Sequence, residues 1–168
     1  MALSVEGFAQ KGMNSVGVEI PVTVGLKNVW AGVGIKYQYN ISDFIRVEPS
    51  FSYFPMHSSN SYEGINWHYG LTRYTPELDW KIMGNLHFFV QRPKPVRPFL
   101  IIGGGFSKGP YNSWVVNSGI GLDIRIAYHW SMQLNTTAVV PLRLLALPGE
   151  SGKIHKFFNG GIGLSYNF

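Results

Sequence analysis

From Ser15 onward apolar and polar residues alternate with a period of two, the spacing that sends successive side chains to opposite faces of a β-strand. The first segment sets Val16, Val18, Ile20, Val22, Val24 and Leu26 against Gly17, Glu19, Pro21, Thr23 and Gly25. The second sets Ala31, Val33, Ile35, Tyr37 and Tyr39 against Gly32, Gly34, Lys36 and Gln38. The third sets Ile45, Val47, Pro49, Phe51 and Tyr53 against Arg46, Glu48, Ser50 and Ser52. The fourth sets Leu78, Trp80, Ile82, Leu86 and Phe88 against Asp79, Lys81, Met83, Asn85 and His87. The fifth, from about Arg97 to Ser107, mixes its faces: Leu100, Ile102 and Phe106 share one, and Phe99 and Ile101 sit opposite. The sixth sets Trp114, Val116, Ile120, Leu122, Ile124 and Ile126 against Asn117, Gly119, Gly121, Asp123 and Arg125. The seventh sets Met132, Leu134, Ala138, Val140, Leu142 and Leu144 against Gln133, Asn135, Thr137 and Arg143. The eighth sets Phe158, Ile162, Leu164, Tyr166 and Phe168 against Asn159, Gly161, Gly163, Ser165 and Asn167.

Segments of about ten residues match the length of a tilted strand crossing a bilayer. An even number of antiparallel strands closes with both chain ends on one side, and closure leaves no edge to template aggregation. The pattern therefore predicts an all-β fold: an eight-stranded antiparallel up-and-down barrel. The connections alternate in length. Asn40 to Asp43, Gln91 to Val96 and His129 to Trp130 are short, whereas Pro55 to Glu77, Lys108 to Ser113 and Pro148 to Lys156 are the longer set. The turn at Lys27-Asn28 is short for its side of the barrel.

Alternation does not say which face is inside, but composition does. Hydrophobic residues make up 45% of the chain and charged residues only 14%, against about 25% charged in soluble domains. No stretch approaches the roughly 18 uninterrupted apolar residues of a transmembrane helix, so a closed barrel is the remaining way to cross lipid with every backbone group paired. The strand charges all lie on the polar faces: Glu19, Glu48, Asp79 and Asp123 with Lys36, Arg46, Lys81, Arg125 and Arg143. A charge facing lipid at mid-depth costs about 2–4 kcal/mol, which accounts for their confinement. These nine residues are expected to form an interior charge network, with the apolar faces turned to lipid. The pairs Gly32/Gly34, Gly103/Gly105, Gly119/Gly121 and Gly161/Gly163 make room for long side chains in a narrow interior. Two aromatic girdles are expected, one with Trp30, Phe51, Tyr53, Phe106 and Trp114, the other with Tyr37, Tyr39, Phe88, Tyr128, Trp130, Tyr166 and Phe168.

The chain has no cysteine, which excludes disulfides, thiolate metal sites and a cysteine nucleophile. Its net charge of +5 suits anionic lipid headgroups, and it has no dense Lys/Arg run for nucleic acid. Gly103 to Gly109 lacks the Gly-Lys-Ser/Thr ending of a phosphate loop. His57, His68, His87 and His155 have no metal-ligand spacing; His57 and His68 read as loop residues and His87 as an interior hydrogen-bonding group. No cofactor is expected. The closest approach to a catalytic pair is His129-Trp130-Ser131, placed in a turn and without an orienting third group. Residues 1–10 read either as the remnant of a secretory signal or as an N-terminal tail, and residues 11–168 as one barrel domain.

The span from Ser15 to Phe168 resembles the small outer-membrane barrels of the OmpA/OmpX type. The final strand carries the most specific part of the likeness: Leu164, Tyr166 and Phe168 alternate outward like the signal read by the barrel-assembly machinery. The junction Phe8-Ala9-Gln10-Lys11-Gly12 and the segment Ile45 to Tyr53 look like barrel proteins of the Bacteroidetes group. The resemblance implies a bacterial outer-membrane location with periplasmic termini, and contact with lipid, lipopolysaccharide and the assembly machinery. It also implies a structural, adhesive or accessory role through external loops, alone or within a larger envelope complex. The lumen is expected to be plugged by side chains. The competing readings are a lipid A-modifying enzyme, a small pore and a soluble lipocalin-like ligand-binding barrel.

Overall fold

The structure is a computed structural model, described here for residues 12–24, 28–59, 79–90, 94–108, 113–142 and 157–168. Its strands are β1 (Asn14–Val24), β2 (Asn28–Asn40), β3 (Ile45–Ser59), β4 (Asp79–Phe89), β5 (Val96–Lys108), β6 (Ser113–Arg125), β7 (Trp130–Pro141) and β8 (Phe157–Asn167). Each strand pairs antiparallel with the next, and β8 pairs with β1, which closes the barrel. The register slips once, between Ala31 and Val33 on β2, as at a β-bulge, where the local twist increases.

Burial follows the alternation and fixes its sense. Val18, Ile20, Val33, Ile35, Ile102, Ile120 and Ile162 are exposed, whereas Lys36, Arg46, Glu48 and Asp123 are buried. The apolar rows therefore face outward and the charges face the axis, the reverse of a soluble ligand-binding barrel. Eight strands leave an interior just wide enough for side chains, so small residues must alternate with large ones around it. Glu19 lies in register between Gly34 on β2 and Gly163 on β8. A Cβ at Gly163 would stand 2.5 Å from Lys36 Nζ. Phe99 likewise faces Gly121 across the β5–β6 pair, where an added Cβ would overlap its ring.

The inward face is less uniformly polar than its sequence implies. Phe99, Ile101, Val115 and Val139 are buried there, as is Trp30, which joins the interior rather than an aromatic girdle. Among the outward aromatics, Phe51, Trp80, Phe106 and Trp114 form a continuous run near the β3–β4 and β5–β6 loop ends, with centroid separations of 6.4, 5.8 and 5.5 Å. At the other end Trp130 and His129 both pack on Tyr166, each at 5.3 Å. β3 continues to Ser59, so Pro55 to Ser59 belongs to a strand rather than a loop, and the backbone of His57 pairs with Trp30. β7 ends at Pro141. Arg143, Leu144, Leu26, Leu78, His68 and His155 lie outside the described residues, as do residues 1–10 and 109–112.

Candidate functional site: the polar lumen

Three tiers of side chains fill the interior from the turn-side end to the loop-side end. Strand register assembles the first. Arg97 on β5 stands opposite Asp123 on β6, and Arg46 reaches the same carboxylate from across the lumen. Both guanidiniums donate through Nη2 to Asp123 Oδ2, at 3.0 Å from Arg46 and 3.1 Å from Arg97. Arg46 Nε also donates to Asn40 Oδ1 at 2.9 Å. Phe89 backs this triad, with the Arg97 guanidinium 4.0 Å and that of Arg46 4.8 Å from its ring centroid.

Lys36 centres the second tier. Its ammonium lies 3.8 Å from a carboxylate oxygen of Glu19 and 3.8 Å from one of Glu48, and it donates to Gln133 Oε1. Gln38 links the two glutamine–carboxylate partners, donating to Glu48 Oε2 and to Gln133 Oε1 at 2.9 Å, and accepts from Ser15 at 2.8 Å. His87 is buried, stacks on Phe99 at 4.6 Å and brings Nε2 to 3.5 Å from Glu48 Oε1. Buried charges are tolerated only when paired and hydrogen-bonded, and this tier meets that condition with side chains from β1, β2, β3, β4 and β7.

The third tier is mixed. Lys81 donates to Thr23 at 3.3 Å and to Asn159 at 3.4 Å, and lies 4.9 Å above the Phe54 ring. Next to it, Met83, Val115 and Val139 make an apolar cluster. A cavity of about 50 Å³ separates the second and third tiers, bordered by Asn85, Asn117, Asn135 and Asn159.

Of the nine residues expected to form one interior network, six are placed inside: Glu19, Lys36, Arg46, Glu48, Lys81 and Asp123. They fall into separate clusters. Arg125 is not among them: it sits at the turn-side rim, where its guanidinium donates to the carbonyls of Ala127 and Tyr128. β6 ends at Arg125, so its long side chain folds back onto the turn that follows. Asp79 opens β4, with its side chain outside the described residues, and Arg143 lies wholly outside them. Sequence reasoning missed Arg97, Gln38 and Gln133 as network members. The signal for Arg97 was parity with Phe99 and Ile101, but two apolar residues on the inward face hid which row was interior.

His129 and Ser131 do not form a catalytic pair. His129 is exposed in the β6–β7 turn, with Nδ1 2.9 Å from the carbonyl of Asn167, while Ser131 is buried on the lumen side. Among the described residues no group of three His, Asp or Glu side chains could hold a metal ion.

Closed antiparallel topology with outward apolar rows and inward charges is the fold of the small eight-stranded outer-membrane barrels. Solved structures agree. The chain is similar to the N-terminal barrel domain of Pseudomonas aeruginosa OprF, with TM-score 0.58 at 14% identity, covering 94% of this chain and 99% of that one. It is similar to Ail, the attachment invasion locus protein of Yersinia pestis, with TM-score 0.59 at 12% identity over 95% and 100% of the two chains. It is similar to outer membrane protein AlkL, solved in lipid bilayers, with TM-score 0.62 at 13% identity over 100% and 95%. No protein-family model matches the chain, and no curated protein matches its sequence.

Proposed function

We propose that this protein is an integral outer-membrane barrel whose lumen is sealed by its own side chains, and that it serves the envelope as a structural, adhesive or accessory component. The observation that carries this reading is the inversion of burial: rows of Val, Ile and Leu stand exposed around the barrel while Lys36, Arg46, Glu48 and Asp123 are buried within it. Such an apolar belt is stable only in lipid, and far exceeds the exposed patches of soluble monomers. Membrane neighbours with the same fold support the location. The turn side is then periplasmic and carries both ends of the barrel, and the longer connections face outward toward lipopolysaccharide and partner proteins. Leu164 and Tyr166 on β8 and Phe168 just after it are exposed, where the assembly machinery would read them.

Refolding tests this directly. Mixed with lipid vesicles, the protein should become strand-rich and migrate differently on gels before and after boiling. In planar bilayers it should pass no steady ionic current, because the first two tiers block the axis. A folded, detergent-free soluble monomer would overturn the membrane reading; a steady current would replace the sealed lumen with a small pore.

A further inference from the structure

Buried polar atoms without hydrogen-bond partners occur along the lumen, on His87, Asn117, Gln133 and Ser165 among others, and four further ones share the turn-side mouth. Arg46 Nη1, Arg97 Nη1, Asp123 Oδ1 and Ser131 Oγ are all buried and lack a partner among the described residues. All four side chains line the same chamber of about 30 Å³. Leaving such atoms unsatisfied is costly, most of all for charged groups, so the chamber favours an occupant that can bond to all four. Lys94 and Arg125 add to its lining, giving four basic side chains against the single carboxylate of Asp123, and the neutral Met13, Asn40 and Asn167 make up the rest. Asp43 on the neighbouring turn acts electrostatically on Arg97 but does not line the chamber. Lys94 is exposed, so the chamber opens on the turn-side face.

We propose that this mouth is a binding site for a phosphomonoester or hydrogen phosphate group. The two Nη1 groups donate to phosphate oxygens, as guanidiniums do in oxyanion recognition. The remaining P–OH donates to Asp123 Oδ1, and Ser131 donates or accepts as needed. A simple carboxylate anion has no O–H and leaves Asp123 Oδ1 unmatched. Phe89 holds both guanidiniums in place before any ligand arrives, which lowers the ordering cost of binding. A chamber of this size has about twice the room one water needs, enough for terminal phosphate oxygens while the rest of the group projects through the mouth.

The test uses the whole chain refolded in a non-ionic detergent, titrated with sodium phosphate at ionic strength held constant with sodium chloride. Phosphorus NMR line broadening and thermal unfolding report binding. Phosphate should broaden saturably and raise the melting temperature, and acetate should bind at least about tenfold more weakly. Arg97→Lys keeps the charge but loses the fork, and should weaken phosphate binding about tenfold. Lys94→Gln, on the exposed rim and safe for folding, should weaken it roughly threefold, while Lys108→Gln at the loop-side end should leave it unchanged. Equal responses to phosphate and chloride, or equal effects of the two Lys variants, would show that the chamber holds ordered water only and would overturn the proposal. Nanodiscs distinguish the sources: competition by phosphatidic acid in phosphatidylcholine identifies a lipid headgroup, and undiminished phosphate binding identifies a soluble phosphate compound. Both outcomes require the site.

Discussion

The two ends of the lumen solve the same packing problem with different chemistry. At the turn-side end, two guanidiniums share one carboxylate and rest on an aromatic ring. At the loop-side end, Met83, Val115 and Val139 fill the space, and Lys81 is held by Thr23 and Asn159 beside Phe54. The difference teaches that a barrel interior need not be uniformly polar. The outer face must be apolar because lipid offers no hydrogen bonds, whereas the inner face is free to use either kind of residue provided every charge is matched. The charged end leaves Arg46 Nη1 and Arg97 Nη1 without a hydrogen-bond partner; the apolar end gains its stability from contact and volume.

Substitutions can break this contrast. Asp123→Ala should have the largest effect, about 3–5 kcal/mol in reversible unfolding, because it strands two buried cations. A loss as small as that of a surface substitution would mean that water, not Asp123, supports the arginines. Met83→Ala should follow, at about 2–4 kcal/mol, through the cavity it leaves at the apolar end; a negligible change would show that end to be loosely packed. Ile120→Arg or Leu122→Arg alters neither end but places a charge against lipid, and should lower stability in bilayers by about 2–4 kcal/mol near mid-depth while changing little in detergent. If bilayer assembly is unaffected, the outward assignment fails. Arg125→Ala should have the smallest effect, below about 1 kcal/mol, because it sits at the rim and bonds to carbonyls of an exposed turn. A loss matching that of Asp123→Ala would move Arg125 back into the interior network.

Much of the barrel is legible from alternation alone, since a period of two is local. Outward rows such as Val16-Val18-Ile20 and Val33-Ile35 are uninterrupted, so their strands are easily bounded. β5 is the exception: Phe99 and Ile101 on the inner face blur the alternation, and Arg97 is lost with them. The far end of β3 is also hidden, because Pro55 and the Ser-rich run after it read as a loop, while pairing to Asn28–Ala31 extends the strand. The grouping of charges is not legible at all. Arg46 and Asp123 are 77 positions apart, and Lys36 and Gln133 are 97 apart; only closure brings them together.

The sequence by itself determined the strand period, the confinement of charge to one face and, through scarcity of charge, which face meets lipid. Each follows from side-chain alternation and from the cost of a charge in hydrocarbon. Tertiary structure alone decided which acid meets which base, that Arg97 joins the interior while Arg125 stays at its rim, and that four unmatched polar atoms share one chamber. Those outcomes depend on strand register and on reach across the barrel axis, where residues distant in the chain become neighbours.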